Sequence, residues 1–282
     1  LQKNSSEIYL TRGIIMVYPD NPIGVFDSGI GGLSVVKNIM CNLPHENVVY
    51  FGDIARIPYG TKSVATIQKF TEQTMRFLLK QEVKAIIIAC NTISAVAKDT
   101  VLQLAGNIPV IDVITAGTQA SATLYQRIGV IATPATINSQ AYPRAIHQIN
   151  PAAQVYAQAC ALFVPMVEEG FIEHPALELV AREYLQPIIK KNVECLVLGC
   201  THYPLISKTI AKIIGPQIKI IDPAITACEE LSNILRANNT LNTNQESGTY
   251  KFYVTDVPVK FQSIGERFLN HAIDHLEVVN VE

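Results

Sequence analysis

KAIIIACNT (residues 84–92) joins a short apolar run to a cysteine and two polar residues, and ECLVLGCTH (residues 194–202) repeats this pattern 110 residues later. Three more pairs keep the same order: IGVFDSGIGG (23–32) with IGVIATPATI (128–137), VY (49–50) with VY (155–156), and IPVIDV (108–113) with IKIIDP (218–223). Their offsets lie between 105 and 110 residues. Four ordered echoes at nearly one spacing indicate tandem duplication of one structural unit.

Strand-like apolar runs alternate with helix-like amphipathic stretches along most of the chain, which is typical of a parallel sheet covered by helices. We therefore predict an α/β fold of two pseudo-symmetric domains, each a largely parallel sheet flanked by helices, with the active site in the cleft between them. Residues 1–21 are predicted to be an N-terminal extension, residues 22–114 plus 224–282 the first domain, and residues 115–223 the second. A strand over 250–255 and a helix over 259–276 should pack on the first domain.

Composition excludes several classes of protein. The 282 residues are 49% hydrophobic and 16% charged, which predicts packed cores, and the formal net charge of −2 without a basic run argues against nucleic acid as a partner. Apolar runs are too short to span a membrane, and the first twenty residues lack a signal-peptide pattern, so a cytoplasmic location is expected. The six cysteines would then be reduced thiols, and no C-x-x-C pair supports a metal site.

Cys90 and Cys200 each follow a predicted buried strand, where open α/β sheets bind ligands. A helix beginning there would lower the thiol pKa and offer N–H groups to a carboxylate. Two such thiols in one cleft suit racemisation, in which a base removes the α-proton from one face and an acid returns a proton to the other. An isolated buried cysteine is usually a small core residue. That interpretation is preferred for the other four, which are Cys41, Cys160, Cys195 and Cys228.

Other candidate residues have ordinary alternatives. Asp27 in DSGIGG would lie in the crevice of Cys90, where it could bind a substrate ammonium group or assist the thiol; the loop lacks the spacing of a nucleotide site. Tyr59 belongs to a Pro/Gly loop that could be a plain turn. Glu168 could be a solvated helix end. His202 could be structural, although its proximity to Cys200 favours proton handling.

At these residues the chain resembles the bacterial glutamate racemases of the aspartate/glutamate racemase superfamily, over about residues 22–279. The motifs that carry the resemblance are GVFDSGIGGLSV, YFGDIARIPYG, CNTISA, FVPMVEEG, GCTHYPL and FYVTD. The histidine of GCTHYPL favours glutamate over aspartate as the substrate. The resemblance implies interconversion of L- and D-glutamate without a cofactor or metal, supply of D-glutamate for peptidoglycan, and a homodimer.

The resemblance also implies residue roles. Cys90 would act on the D-enantiomer with help from Asp27, and Cys200 on the L-enantiomer with help from His202 and Glu168. The implied substrate contacts are Asp27, Ser28, Tyr59, Gly60, Asn91, Thr92, Thr201 and His202. The chain departs from the family at Ala132, where glycine is usual, at Thr115-Ala116, where Glu-Pro is common, and at Thr255-Asp256-Val257, which replaces a Thr-Gly-Asp pattern. These departures leave the roles of Thr133 and Thr136 open.

Three alternatives stay open at this point. The first is a racemase for aspartate or another amino acid. The second is a two-lobed binding protein for a small solute, although it would not need two matched cysteines. The third is a pyridoxal enzyme, which would require a Schiff-base lysine.

Overall fold

The computed structural model describes residues 17–257 and 261–281, and these residues form two parallel β-sheets covered by helices. The strands are β1 (Ile23–Asp27), β2 (Val48–Gly52), β3 (Ala85–Ile88), β4 (Val110–Asp112), β5 (Arg127–Ala132), β6 (Gln154–Ala159), β7 (Cys195–Gly199), β8 (Lys219–Ile221), β9 (Tyr250–Val254) and β10 (Leu276–Val278). The helices are α1 (Leu33–Asn42), α2 (Val64–Leu79), α3 (Asn91–Ala105), α4 (Val113–Ala122), α5 (Pro134–Asn138), α6 (Ala141–Ile149), α7 (Phe163–Glu168), α8 (Pro175–Ile189), α9 (Ser207–Ile214), α10 (Pro223–Ala237) and α11 (Phe261–Leu269).

The six-stranded sheet has the order β10-β9-β2-β1-β3-β4, and the four-stranded sheet has the order β6-β5-β7-β8. Every strand pair is parallel. Each central strand is therefore covered on both faces, and β1, β3 and β7 are buried along their whole length. The α/β fold predicted from the alternating pattern is confirmed. The domain boundaries at residues 22–114 plus 224–282 and 115–223 stay a prediction.

The end of the chain differs from the predicted long helix over residues 259–276. In the described residues α11 ends at Leu269, because Asn270 takes the left-handed conformation (φ 54°) that closes helices. Leu276–Val278 then forms β10 and pairs with β9 at the sheet edge. Residues 259 and 260 lie outside the described part of the chain.

Part of the predicted N-terminal extension packs on the six-stranded sheet, while its residues 1–16 lie outside the described part. The fully buried Lys84 ammonium group lies 2.5 Å from both the Glu46 carboxylate and the Pro19 carbonyl oxygen, and it also donates to the Thr240 carbonyl at 2.9 Å. A buried charge needs such partners. Lys84 thus connects the segments of Pro19, Glu46 and Thr240, which lie far from it in the sequence.

The two similar sequence segments differ in structure after their cysteines. Asn91 begins α3 directly after Cys90. After Cys200 the chain instead forms a 3-10 turn over Tyr203–Ile206, and α9 begins only at Ser207. The predicted helix start beside the cysteine is therefore found for Cys90 and not for Cys200.

None of the helices in residues 17–257 and 261–281 has the length and apolar character that a bilayer crossing demands.

Candidate active site

A cavity of about 400 Å³ lies between the carboxyl ends of the two sheets. That volume suits a small molecule. It is lined from the six-stranded side by Ser28, Gly29, Ile57, Pro58, Tyr59, Gly60, Thr61, Cys90, Asn91 and Thr92, and from the four-stranded side by Thr133, Pro134, Ala161, Val164, Pro165, Glu168, Gly199, Cys200, Thr201 and His202. Cys90 and Cys200 thus share one cavity, each at the end of a strand from a different sheet.

Cys90 lies between β3 and α3 and is only 6% exposed. Its Sγ is 3.4 Å from Ser28 Oγ. Burial and the negative charge of Asp27 raise the Cys90 pKa to about 12, outweighing the hydrogen bonds from Ser28 and the Ile93 N–H that favour thiolate. The predicted net lowering of this pKa is therefore wrong: the N–H group at the start of α3 does lower it, but removal from water has the larger effect. At neutral pH Cys90 is therefore a protonated thiol.

Asp27 ends β1 and is 2% exposed. One carboxylate oxygen accepts from the Gly29 N–H at 2.9 Å, and the other accepts from Thr201 Oγ1 at 3.5 Å. Burial raises the Asp27 pKa, and the charge of His202 together with these hydrogen bonds opposes that rise. Asp27 thus connects the loop of Cys90 with the loop of Cys200.

Cys200, His202 and Glu168 form a chain of contacts. Cys200 Sγ lies 3.8 Å from His202 Nδ1, and His202 Nε2 lies 3.0 Å from Glu168 Oε1. Burial lowers the His202 pKa, but the contacts with Cys200 and Glu168 outweigh burial and raise that pKa to about 10. At neutral pH His202 is therefore an imidazolium between a sulfur and a carboxylate, an arrangement that can stabilise a thiolate. Glu168, for which a solvated helix end was the ordinary interpretation, faces the cavity.

Polar groups line the rest of the cavity. Asn91 Oδ1 accepts from the Tyr142 hydroxyl at 2.8 Å. Thr92 Oγ1 lies 3.4 Å from the hydroxyl oxygens of both Thr133 and Thr136, which come from the other sheet's side. These contacts link the two walls of the cavity. The sequence left the roles of Thr133 and Thr136 open, and the structure shows that both contact Thr92.

Tyr59 and Gly60 line the cavity, yet the Tyr59 hydroxyl donates to the Asp53 carboxylate. Asp53 is 1% exposed, pairs with Arg56 Nε at 2.7 Å and accepts from Thr255 Oγ1 at 2.9 Å. This network orients the loop that carries Ile57 to Thr61 along the cavity. Asp53 and Arg56 are not among the site residues predicted from the sequence, although both belong to the motif YFGDIARIPYG.

The remaining cysteines do not line the cavity in the part of the chain that the structure describes. Cys41 is exposed, whereas Cys160, Cys195 and Cys228 are buried, and all are free thiols. Within that same part, no group of three His, Cys, Asp or Glu residues has the arrangement of a metal site.

Comparison with known proteins identifies the family. The family model described as Asp/Glu/Hydantoin racemase matches residues 27–231. Glutamate racemase from Neisseria meningitidis is 50% identical over 262 residues, which is 92% of this chain and 97% of that protein. Glutamate racemase from Syntrophus aciditrophicus is 47% identical over 283 residues and covers both chains fully.

A solved structure agrees with these sequences. Glutamate racemase from Francisella tularensis in complex with D-glutamate superposes with a TM-score of 0.89 at 58% identity, covering 94% of this chain and 99% of that one. The resemblance inferred from the motifs is thus confirmed. This chain belongs to the glutamate racemase family, within the wider group of Asp/Glu/Hydantoin racemases.

Proposed function

We propose that this protein interconverts L- and D-glutamate by a two-base reaction that uses Cys90 and Cys200 and needs no cofactor. The observation that carries the proposal is that Cys90 and Cys200, each at the carboxyl end of a strand in a different sheet, line one cavity of about 400 Å³. The family membership of the chain supports glutamate as the substrate.

The protonation states of His202 and Cys90 suit the reaction of L-glutamate. We propose that Cys200, beside the His202 imidazolium, acts as the base and that Cys90, which keeps its proton at neutral pH, acts as the acid. Cys200 would remove the α-proton of L-glutamate, and Cys90 would then donate its proton to the opposite face of the carbon, giving D-glutamate. For the reverse reaction Cys90 must first lose its proton. The family resemblance assigns Asp27 to that step, and we propose that its carboxylate accepts the proton; the negative charge of Asp27 by itself raises the Cys90 pKa.

Neutral donors must bind the two substrate carboxylates. Among the lining residues that the structure describes there is no Lys or Arg, and His202 is the one side chain that carries a positive charge at neutral pH. We assign substrate contacts to the hydroxyl and amide groups of Ser28, Asn91, Thr92 and Thr201, to the loop of Tyr59 and Gly60, to His202 and, for the ammonium group, to Asp27. Hydrogen-bond donors directed at the α-carboxylate also stabilise the enolate-like charge of the carbanion.

The biological setting is proposed from the same resemblance. The protein would supply D-glutamate for peptidoglycan synthesis and would act in the cytoplasm. It would be a homodimer and would bind neither a membrane nor nucleic acid.

The test is an assay of purified protein after treatment with hydroxylamine and EDTA, which remove carbonyl cofactors and metals. Circular dichroism follows L-glutamate, D-glutamate and L-aspartate in separate reactions. The proposal predicts full activity on both glutamate enantiomers. Faster turnover of aspartate than of glutamate would indicate an aspartate racemase. Loss of activity after hydroxylamine would indicate a pyridoxal enzyme. Binding of glutamate without exchange of its α-proton in D₂O would indicate a binding protein.

A further inference from the structure

Tyr142 contacts both cysteine-bearing segments from behind the cavity. It lies on α6, is 1% exposed, and donates its hydroxyl to Asn91 Oδ1, in the residue that follows Cys90. A methyl group built on Gly199, the residue before Cys200, would lie 3.1 Å from Tyr142 Cε2, so the ring packs directly against that glycine. One side chain thus touches the chain beside each thiol.

The hydrogen bond decides which end of the Asn91 amide faces the substrate. Burial, with Asp112 and Asp222 nearby, raises the Tyr142 pKa well above its usual value, so the phenol keeps its proton and donates. Asn91 carries one acceptor oxygen and one NH₂ donor on its side chain. With Oδ1 turned to Tyr142, the NH₂ group is the free end, and it has no hydrogen-bond partner among the described residues although Asn91 lines the cavity.

That free donor matters because the described cavity wall contains no Lys or Arg to bind a carboxylate. If the amide rotated by half a turn, its oxygen would face the substrate carboxylate and repel it. We propose that Tyr142 is a positioning residue that fixes the Asn91 amide with its NH₂ group toward a substrate carboxylate, and so sets substrate affinity. This inference rests on the proposed function, since it assumes that the cavity binds glutamate.

The experiment is a double-mutant cycle of Tyr142→Phe and Asn91→Ala, with KM and kcat measured in both reaction directions. Tyr142→Phe removes one oxygen atom and keeps the packed ring. It should raise KM for both enantiomers by about 3- to 10-fold, the range that one net hydrogen bond spans, and change kcat by less than about 2-fold. In the Asn91→Ala background the same substitution should change KM by less than about 2-fold, because Tyr142 acts through Asn91.

A matched control is Tyr156→Phe, which removes a hydroxyl on the surface of β6; within the described residues that hydroxyl makes one hydrogen bond, to the Gln154 side chain. It should leave KM and kcat as in the wild type. A merely structural role for Tyr142 would lower thermal stability and kcat equally in both backgrounds, and that result would overturn the inference, as would an unchanged KM in Tyr142→Phe.

Measurements on the wild-type protein distinguish failure of the proposed function from failure of the role assigned to Tyr142. If the wild type racemises glutamate and the cycle is additive, only the assignment of Tyr142 fails. If the wild type neither racemises glutamate nor binds D-glutamate by calorimetry, the proposed function fails, and the assignment of Tyr142 fails with it.

Discussion

Gly31→Ala should cost most of the activity, because Gly31 lies against the residues next to Cys200. A methyl group built on Gly31 would lie 2.2 Å from Thr201 Oγ1 and 2.7 Å from His202 Nδ1. Neither Gly29 nor Gly31 has a positive φ in the left-handed region, so alanine is allowed by the backbone and only space is limiting.

The magnitude follows from these distances. The Thr201 Oγ1 atom would lie 2.2 Å from the new methyl group, and an ordinary contact needs 3.4 Å, so Thr201 must shift by about 1 Å. The same shift would move His202, whose Nδ1 lies 3.8 Å from Cys200 Sγ. Because a misplacement of about 1 Å can cost about 100-fold, we expect kcat to fall about 100-fold in both directions. Overpacking should also lower the free energy of unfolding by about 1–3 kcal/mol.

The comparison variant is Gly29→Ala, whose methyl group would meet its nearest neighbour, Ile57 Cγ2, at an ordinary 3.4 Å. Its loss of kcat should be at least about ten times smaller than that of Gly31→Ala. Steady-state racemisation and urea unfolding of both variants provide the measurements. Equal losses in the two variants, or a Gly31→Ala kcat within about 3-fold of the wild type, would refute the steric argument.

Two further predictions concern charged groups of the site. The His202 pKa is raised from its ordinary 6.5 to about 10, so this histidine stabilises the fold fully below pH 6.5 and loses that contribution as the pH rises toward 10. Urea unfolding should show a steeper loss of stability between pH 6.5 and 10 in the wild type than in Glu168→Gln, and equal slopes would contradict the assigned ion pair. Asp53→Asn removes the negative charge that Arg56 and the Tyr59 hydroxyl contact, and should lower the free energy of unfolding by about 2–3 kcal/mol and raise KM by loosening the loop. Unchanged stability by urea titration would disprove the role of this network.

The fold could be predicted because each strand of the repeated pattern can be recognised from a short stretch of sequence. The echo of residues 84–92 at 194–202 marks two equivalent buried strands, β3 and β7, and each lies between two other strands of a parallel sheet. The edge strand β10 was missed because its pairing with β9 depends on where α11 stops. That end is set by one left-handed residue, Asn270, which the periodic pattern does not reveal.

The two thiols could be predicted as partners because both follow equivalent strands. The role of Glu168 could be predicted only from the family resemblance, because its contact with His202 joins residues 34 positions apart on different elements. The direction of the Cys90 pKa shift was predicted wrongly because the sequence shows a nearby helix start but not the degree of burial. Tyr142 was not predicted because its hydrogen bond to Asn91 spans 51 residues. Asp53 was not predicted because the sequence does not show that its carboxylate is buried, where it contacts the nearby Arg56 and Tyr59 as well as Thr255, 202 residues away.

Cys90→Ala and Cys200→Ala, each assayed on both enantiomers of glutamate and of a β-chloro-substituted glutamate, test the two-thiol account most directly. Elimination needs one base, because loss of the α-proton expels chloride from the neighbouring carbon, whereas racemisation needs both. The account predicts no racemisation by either variant, and chloride release from the L-enantiomer only with Cys90→Ala and from the D-enantiomer only with Cys200→Ala. Racemisation retained in either variant, or chloride release from the same enantiomer in both, would contradict it.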